Sequence, residues 1–164
     1  MRIGLISDTH DDVPKIREVI RRLNELEVDL VLHAGDYISP FTAKPYTDLK
    51  AKMIGVYGNN CAERDKLKEV YAAAGKEIVG NFAEVEENGM TIALLHGHDD
   101  VLLCSIITHG DYDAVVHGHD HKAKVEKVGR TLVVNPGEVC GYVTGRSSFA
   151  ILDTEGHEAK ILDL

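Results

Sequence analysis

Cysteine is scarce. The three residues, Cys61, Cys104 and Cys140, are odd in number and widely spaced, with no C-x-x-C pair. A disulfide framework and a thiolate metal site are both disfavoured. Proline is nearly as rare, at 4 of 164 residues beside 15 glycines, so neither a disordered nor a fibrous chain fits. No apolar run approaches the roughly 18–20 residues of a membrane span. The opening "MRIGLISDTH" enters a strand-like segment directly, without a signal-peptide layout, and the cytoplasm is the expected location. Positive charge is also short: 18 Lys and Arg stand against 27 Asp and Glu, a formal net charge of −9. Phosphate-backbone binding needs a basic patch, so nucleic acid is a disfavoured partner. A small phosphorylated substrate remains compatible, because bound divalent cations would reverse the local field.

What is present supports a core. The chain is 44% hydrophobic, and its length predicts one domain over residues 1–164. Arg2–Ser7 reads as a buried strand. Val13, Ile16, Val19, Ile20, Leu23 and Leu26 then recur at helical spacing, behind an Asp cap and an early proline. "VDLVLHAGD" and "AKMIGVYG" read as further buried strands, separated by the loop "SPFTAKPYTDL". Leu67, Val70, Tyr71 and Ala74 mark a helix stopped by Gly75. This alternation predicts a parallel α/β sheet. From Phe82 onward the pattern changes. A hairpin turning at Asn88-Gly89 is followed by a short helix over 101–109, then by short strands that predict an antiparallel sheet. The predicted class is α/β: a two-sheet β-sandwich flanked by helices, in αββα layers.

Nine histidines are present, and four of them, His109, His117, His119 and His121, fall within 13 residues. Ligand-type side chains also collect at the carboxyl ends of apolar strands: Asp8 and His10 after "LIS", Asp36 after "VLHAG", Asn59 after "GVYG", His96 and His98 after "IALL", and His119 and His121 after "VVHG". In open α/β sheets ligands bind at that end. Each residue has a plainer reading alone. Asp8 could cap the first helix, Asp36 could serve a turn, and one buried histidine could be a hydrogen-bonded core residue. His117, His119 and His121 alternate, so on a strand they share one face, and several imidazoles cannot be buried together cheaply without partners. A metal site accounts for the set better. Imidazole, carboxylate and amide donors without thiolate suit Mn, Fe, Co, Ni or Zn. Their number exceeds the need of one ion and suffices for two, about 4 Å apart, sharing a carboxylate.

These blocks resemble the calcineurin-like metallophosphoesterases. The family order D-x-H, G-D, G-N, H, G-H-x-H is matched by Asp8-Thr9-His10, Gly35-Asp36, Gly58-Asn59, His96-Gly97-His98 and Gly118-His119-Asp120-His121. The short length, "GDYISPF" and "NPGE" look most like the compact bacterial and archaeal phosphodiesterase branch, similar in fold to a retromer subunit. The resemblance implies two divalent ions, with Mn²⁺ favoured and Ni²⁺, Co²⁺, Fe²⁺ or Zn²⁺ accommodated. Asp8, His10 and His121 would hold the first, Asn59, His96 and His119 the second, and Asp36 would bridge them. A hydroxide shared by the ions would attack a small phosphodiester in line. A phosphomonoesterase, a nuclease or a catalytically weak retromer-like binding module are the alternatives. The reading leaves room for a homo-oligomer.

One block departs from the pattern. Relatives commonly follow Gly-Asn with a histidine that protonates the leaving oxygen, whereas here Asn60 stands in that place. An amide is not a general acid at neutral pH. Activated aryl diesters are therefore expected to be cleaved better than alkyl ones, unless His98 takes the acid role. Asn60 with Glu63 three residues on also predicts a capping box for the next helix. Cys61 is expected to pack rather than react. His33 and His117 are expected to support the site, His109 and His157 to lie at a helix end and on the surface, and Tyr37 with the loop 39–48 to shape the pocket.

Overall fold

A computed structural model describes all 164 residues. Eleven strands form two sheets. The first has the order β11-β10-β1-β2-β3-β4. Its strands are β1 (Arg2–Ile6), β2 (Leu30–His33), β3 (Lys52–Val56), β4 (Glu77–Gly80), β10 (Ser148–Asp153) and β11 (Glu158–Asp163). The second has the order β5-β6-β7-β9-β8. It contains β5 (Phe82–Glu87), β6 (Met90–Leu95), β7 (Ala114–Val116), β8 (Lys124–Val128) and β9 (Thr131–Asn135). Helices α1 (Val13–Glu25) and α2 (Arg64–Ala73), with a 3-10 segment at Pro40–Asp48, cover the first sheet, and α3 (Asp100–His109) lies on the second. No helix is long and apolar enough to cross a membrane.

Side-chain alternation builds the layers. Ile3 and Leu5 of β1 and Leu30 and Leu32 of β2 face the second sheet, meeting Ile92, Leu94, Val116 and Val134 in the inter-sheet core. Ile6, Val31 and Met53 face the other way, toward Ile16, Val19 and Leu23 of α1 and Leu67 and Tyr71 of α2. Helix α1 starts as its sequence predicts: the Asp12 carboxylate accepts from the Lys15 amide at 3.0 Å, with Pro14 in the first turn. The role of helix cap thus belongs to Asp12, leaving Asp8 for other work.

Three expectations are corrected. The second sheet is mixed: β6, β7 and β9 run parallel, and only the outer pairs β5–β6 and β8–β9 are antiparallel. The last two strands do not extend it, because β10 returns across the molecule to pair with β1. Strand β4 has no counterpart in the sequence reading, since it is only four residues long and Ile78 alone is buried. The αββα layering itself stands. Its consequence is that β1, β2 and β3 of one sheet and β6, β7 and β9 of the other bring their carboxyl ends to the same rim. Gly118 N–H donates to His96 O (2.9 Å) and Val139 N–H to Ser7 O (3.0 Å), tying these ends together.

Below that rim lies a buried aromatic layer. His33 stacks on Tyr37 with ring centres 3.9 Å apart, and Tyr37 meets Tyr71 at 4.8 Å. Gly55 makes room for it: a Cβ there would stand 1.8 Å from Tyr37 Oη. The ring is wedged between His33 and Tyr71 and cannot swing aside. Gly55→Ala is therefore expected to destabilise the fold by about 2 kcal/mol or more, as overpacking does. Urea unfolding measures this, and a midpoint unchanged from wild type would contradict it.

Candidate metal centre

The rim loops converge on two carboxylates. Asp8 is fully buried after β1, and Asp36 is buried after β2. Asp8 Oδ1 lies 3.6 Å from His10 Nε2 and 3.5 Å from His121 Nε2. Asp36 Oδ2 lies 3.5 Å from His10 Nε2 and 3.4 Å from His96 Nε2. These separations are too long for good hydrogen bonds. Asp8 Oδ1, His10 Nε2 and His96 Nε2 are accordingly buried without a hydrogen-bond partner. Buried polar atoms are ordinarily satisfied, so three orphans facing one space need an explanation. A cation would provide it, and the donor sets Asp8–His10–His121 and Asp8–Asp36–His96 each bring one ligand-type atom per residue within 4.8 Å of the others.

The backbone is shaped to bring them there. Asp8, His10, Asp36, His119 and His121 all have positive φ, five of the eleven non-glycine residues that do. Strain of this kind collects at functional sites, and Asp and His tolerate the left-handed region better than most residues. Two glycines permit close approach: a Cβ on Gly58 would stand 2.0 Å from Asp36 Oδ1, and one on Gly118 would stand 2.6 Å from Asp8 Oδ2. The His119 amide donates to Asp8 Oδ2 at 3.2 Å. His96 Nδ1 donates to the Ala34 carbonyl at 2.8 Å, which leaves Nε2 as the free lone pair facing the site.

His117, His119 and His121 do not share a strand face. Strand β7 ends at Val116, and the loop beyond it turns left-handed at His119 (φ 74°) and His121 (φ 62°). The two rings part company: His121 sits 5.2 Å from the His10 ring, His119 5.2 Å from the His96 ring. His117 turns away, its Nδ1 bonded to its neighbour Gly118 O. His98 is exposed at the mouth, 5.7 Å from the His96 ring and 6.2 Å from that of His119. Asn59 is exposed too, beside Gly58, and its side chain makes no hydrogen bond.

Asn60 does something other than the expected cap. Helix α2 begins after Glu63, which adopts φ 46° and makes no side-chain capping bond. Asn60 instead grips Asp36 twice, its backbone N–H on Oδ1 (2.9 Å) and its side-chain amide on Oδ2 (2.8 Å). Cys61 packs, as expected, and its sulfur accepts from the Gly58 amide at 3.2 Å. One residue of the site was missed. Glu138, fully buried after β9, accepts from His121 Nδ1 at 2.7 Å. The strand-end criterion that singles out Asp8 and Asp36 applies equally to "TLVVNPGE" and would have found it.

The electrostatics follow. Burial raises the Asp36 carboxyl, but the adjacent His96 and both Asn60 bonds overcome it and hold it well below its ordinary value. Asp8 is likewise lowered, burial being outweighed by His10 and His96. Burial opposes charge on His10 and His96, yet the two carboxylates leave both raised. Glu138 is lowered to about 2: burial pushes it up, and the Thr144 and His121 hydrogen bonds bring it down.

The sequence model of the calcineurin-like phosphoesterase superfamily domain matches residues 1–157, and the chain belongs to that superfamily. A phosphodiesterase of Methanocaldococcus jannaschii is 44% identical over 159 residues, covering 96% of each chain. Among solved structures, a novel archaeal phosphodiesterase matches with a TM-score of 0.95 at 42% identity, both chains covered in full. Zinc-complexed Vps29 of Entamoeba histolytica matches at 0.72 and 21% identity, covering 100% of this chain and 98% of its own, a likeness of fold alone.

Beneath the carboxylates, burial depresses His33 to about 3 despite the nearby negative charge of Asp8. In the unfolded chain a histidine titrates near pH 6.5. Between those values the unfolded state binds the extra proton, so the contribution of His33 to stability falls as pH falls, by about 1.4 kcal/mol per unit. The other shifted groups act on wild type and His33→Gln alike, so in urea unfolding of the metal-stripped protein the wild-type slope should exceed that of His33→Gln by about this amount. Equal slopes in the two between about pH 6 and about pH 4 would refute it.

Proposed function

We propose that the chain is a metal-dependent phosphodiesterase built on two divalent ions. The observation that carries the reading is the set of buried, unpartnered atoms Asp8 Oδ1, His10 Nε2 and His96 Nε2 around Asp36 Oδ2. The Methanocaldococcus jannaschii and archaeal relatives, both described as phosphodiesterases, support the reaction class. Asp8, His10 and His121 would hold the first ion, and Asn59, His96 and His119 the second. Asp36, which lies between His10 and His96, would be shared by both. Manganese is favoured on the family resemblance, and the oxygen and imidazole donors accommodate the other first-row dications as well. In this reading residues 1–164 act as one domain.

When bound, such ions lower the pKa of water and stabilise charge building on phosphoryl oxygens. The chain's own side chains set the conditions. Asn60 fixes both oxygens of Asp36, so the bridging carboxylate does not swing. The Ala34 carbonyl keeps a lone pair on His96 Nε2. With its amide engaged on Asp36, Asn60 is poorly placed to assist a leaving group as well. His98 stands at the mouth, outside the ligand set. Partial desolvation and then the neighbouring His96 and His119 lower its pKa, so near neutrality little of it is protonated and able to donate. Leaving groups that need little proton assistance, such as aryl oxides, suit this site.

Two assays test this. The metal-stripped chain should gain hydrolysis of bis-p-nitrophenyl phosphate on addition of Mn²⁺, and Asp36→Ala should lose about a thousand-fold of it, about 4 kcal/mol. No metal bound and no activity with any dication would favour the retromer-like binding role instead. Aryl diesters should exceed alkyl diesters by about a hundred-fold or more, the scale of a missing general acid. Equal rates would count against that part, and a loss confined to alkyl substrates in His98→Ala would assign the acid role to His98.

A further inference from the structure

The geometry points to Glu138 as the positioning residue that fixes the tautomer of His121 and thereby presents Nε2 to the first ion. This rests on the proposed role of His121 as a ligand. The carboxylate itself is held on every side. Its Oε1 accepts from Thr144 N (2.6 Å), Thr144 Oγ1 (2.7 Å) and Val143 N (3.1 Å). Its Oε2 accepts from Cys140 Sγ (3.2 Å), again from Val143 N (3.1 Å), and from His121 Nδ1 (2.7 Å). An ionised carboxylate only accepts, so the proton of a neutral imidazole must sit on Nδ1. The lone pair is then on Nε2, the atom 3.5 Å from Asp8 Oδ1. Of the imidazoles assigned to the ions, His121 alone is set by an acidic side chain; His96 takes its orientation from a backbone carbonyl. Carboxylate partners of this kind also raise ligand basicity, and their removal weakens metal binding about 10- to 100-fold.

The loop that clasps Oε1 runs from Gly141 to Gly145, both with positive φ, and exposes Tyr142 and Val143. A purely structural role for Glu138 would be to anchor that loop. The two roles separate experimentally. Glu138→Gln keeps an oxygen for the loop but can offer an N–H to His121, driving its proton to Nε2. Thr144→Val loosens the loop and leaves the imidazole contact untouched.

The experiment combines a Mn²⁺ titration by calorimetry with ¹⁵N NMR of the His121 ring in the metal-free chain. Wild type should show the Nδ1–H tautomer. Glu138→Gln should shift it toward Nε2–H and weaken one of two Mn²⁺ equivalents about 10- to 100-fold. Thr144→Val should lower the melting temperature with both Mn²⁺ affinities unchanged. An Nε2–H tautomer in wild type, which needs no variant to fold, would overturn the inference. So would wild-type Mn²⁺ affinity in folded Glu138→Gln. If wild type takes up no Mn²⁺ at all, the two-ion reading fails while the tautomer measurement still decides whether Glu138 sets the ring.

Discussion

The cost of burying two carboxylates governs this structure. Asp8 and Asp36 lie inside the molecule with carboxylate oxygens within 4.8 Å of one another, and neither pairs with a lysine or arginine; imidazoles stand at 3.4–3.6 Å. A buried anion without compensation is expensive. Backbone amides carry part of the load, from His119 to Asp8 and from Asn60 to Asp36. The rest is left unmet, as orphaned lone pairs facing a common space. The rim is thus built to suit a bound cation, and the net charge of −9 favours one further.

The two sheets exist to make this arrangement reachable. A single parallel sheet offers one row of carboxyl ends, with ligands set side by side. Here β1, β2 and β3 face β6, β7 and β9 across an apolar core, so donors approach from two rows. The bonds from Val139 to Ser7 and from His96 Nδ1 to the Ala34 carbonyl join the two rows. Rigidity beneath them comes from the stacked His33, Tyr37 and Tyr71 layer, for which Gly55 has no side chain to spare.

Much of this was legible in the sequence. Asp8, His10, Asp36, His96 and His121 announce themselves because each follows an apolar run at a strand end, a local pattern. The capping of α1 by Asp12 and the turn at Asn88-Gly89 are local too, and both hold. What escaped is non-local. Whether Asn60 caps a helix or holds Asp36 depends on a partner 24 residues away. The return of β10 to β1, and the grip of Glu138 on His121, are likewise settled by packing that no window of sequence contains. Alternation misled at His117–His121, where the strand had already ended and the left-handed backbone parts the rings that a strand would have aligned.

That left-handed backbone reaches beyond the present site. Five donors hang from conformations that a β-branched side chain enters only with strain. At these positions the chain can exchange Asp, Asn and His with one another far more readily than it can accept Val, Ile or Thr. Descendants of this scaffold could thus retune the ion they prefer, or lose a ligand to an isosteric amide, in single steps. Turning the rim into an apolar pocket would require rebuilding the loops first. The fold is therefore conservative about having polar donors here and permissive about which chemistry they serve.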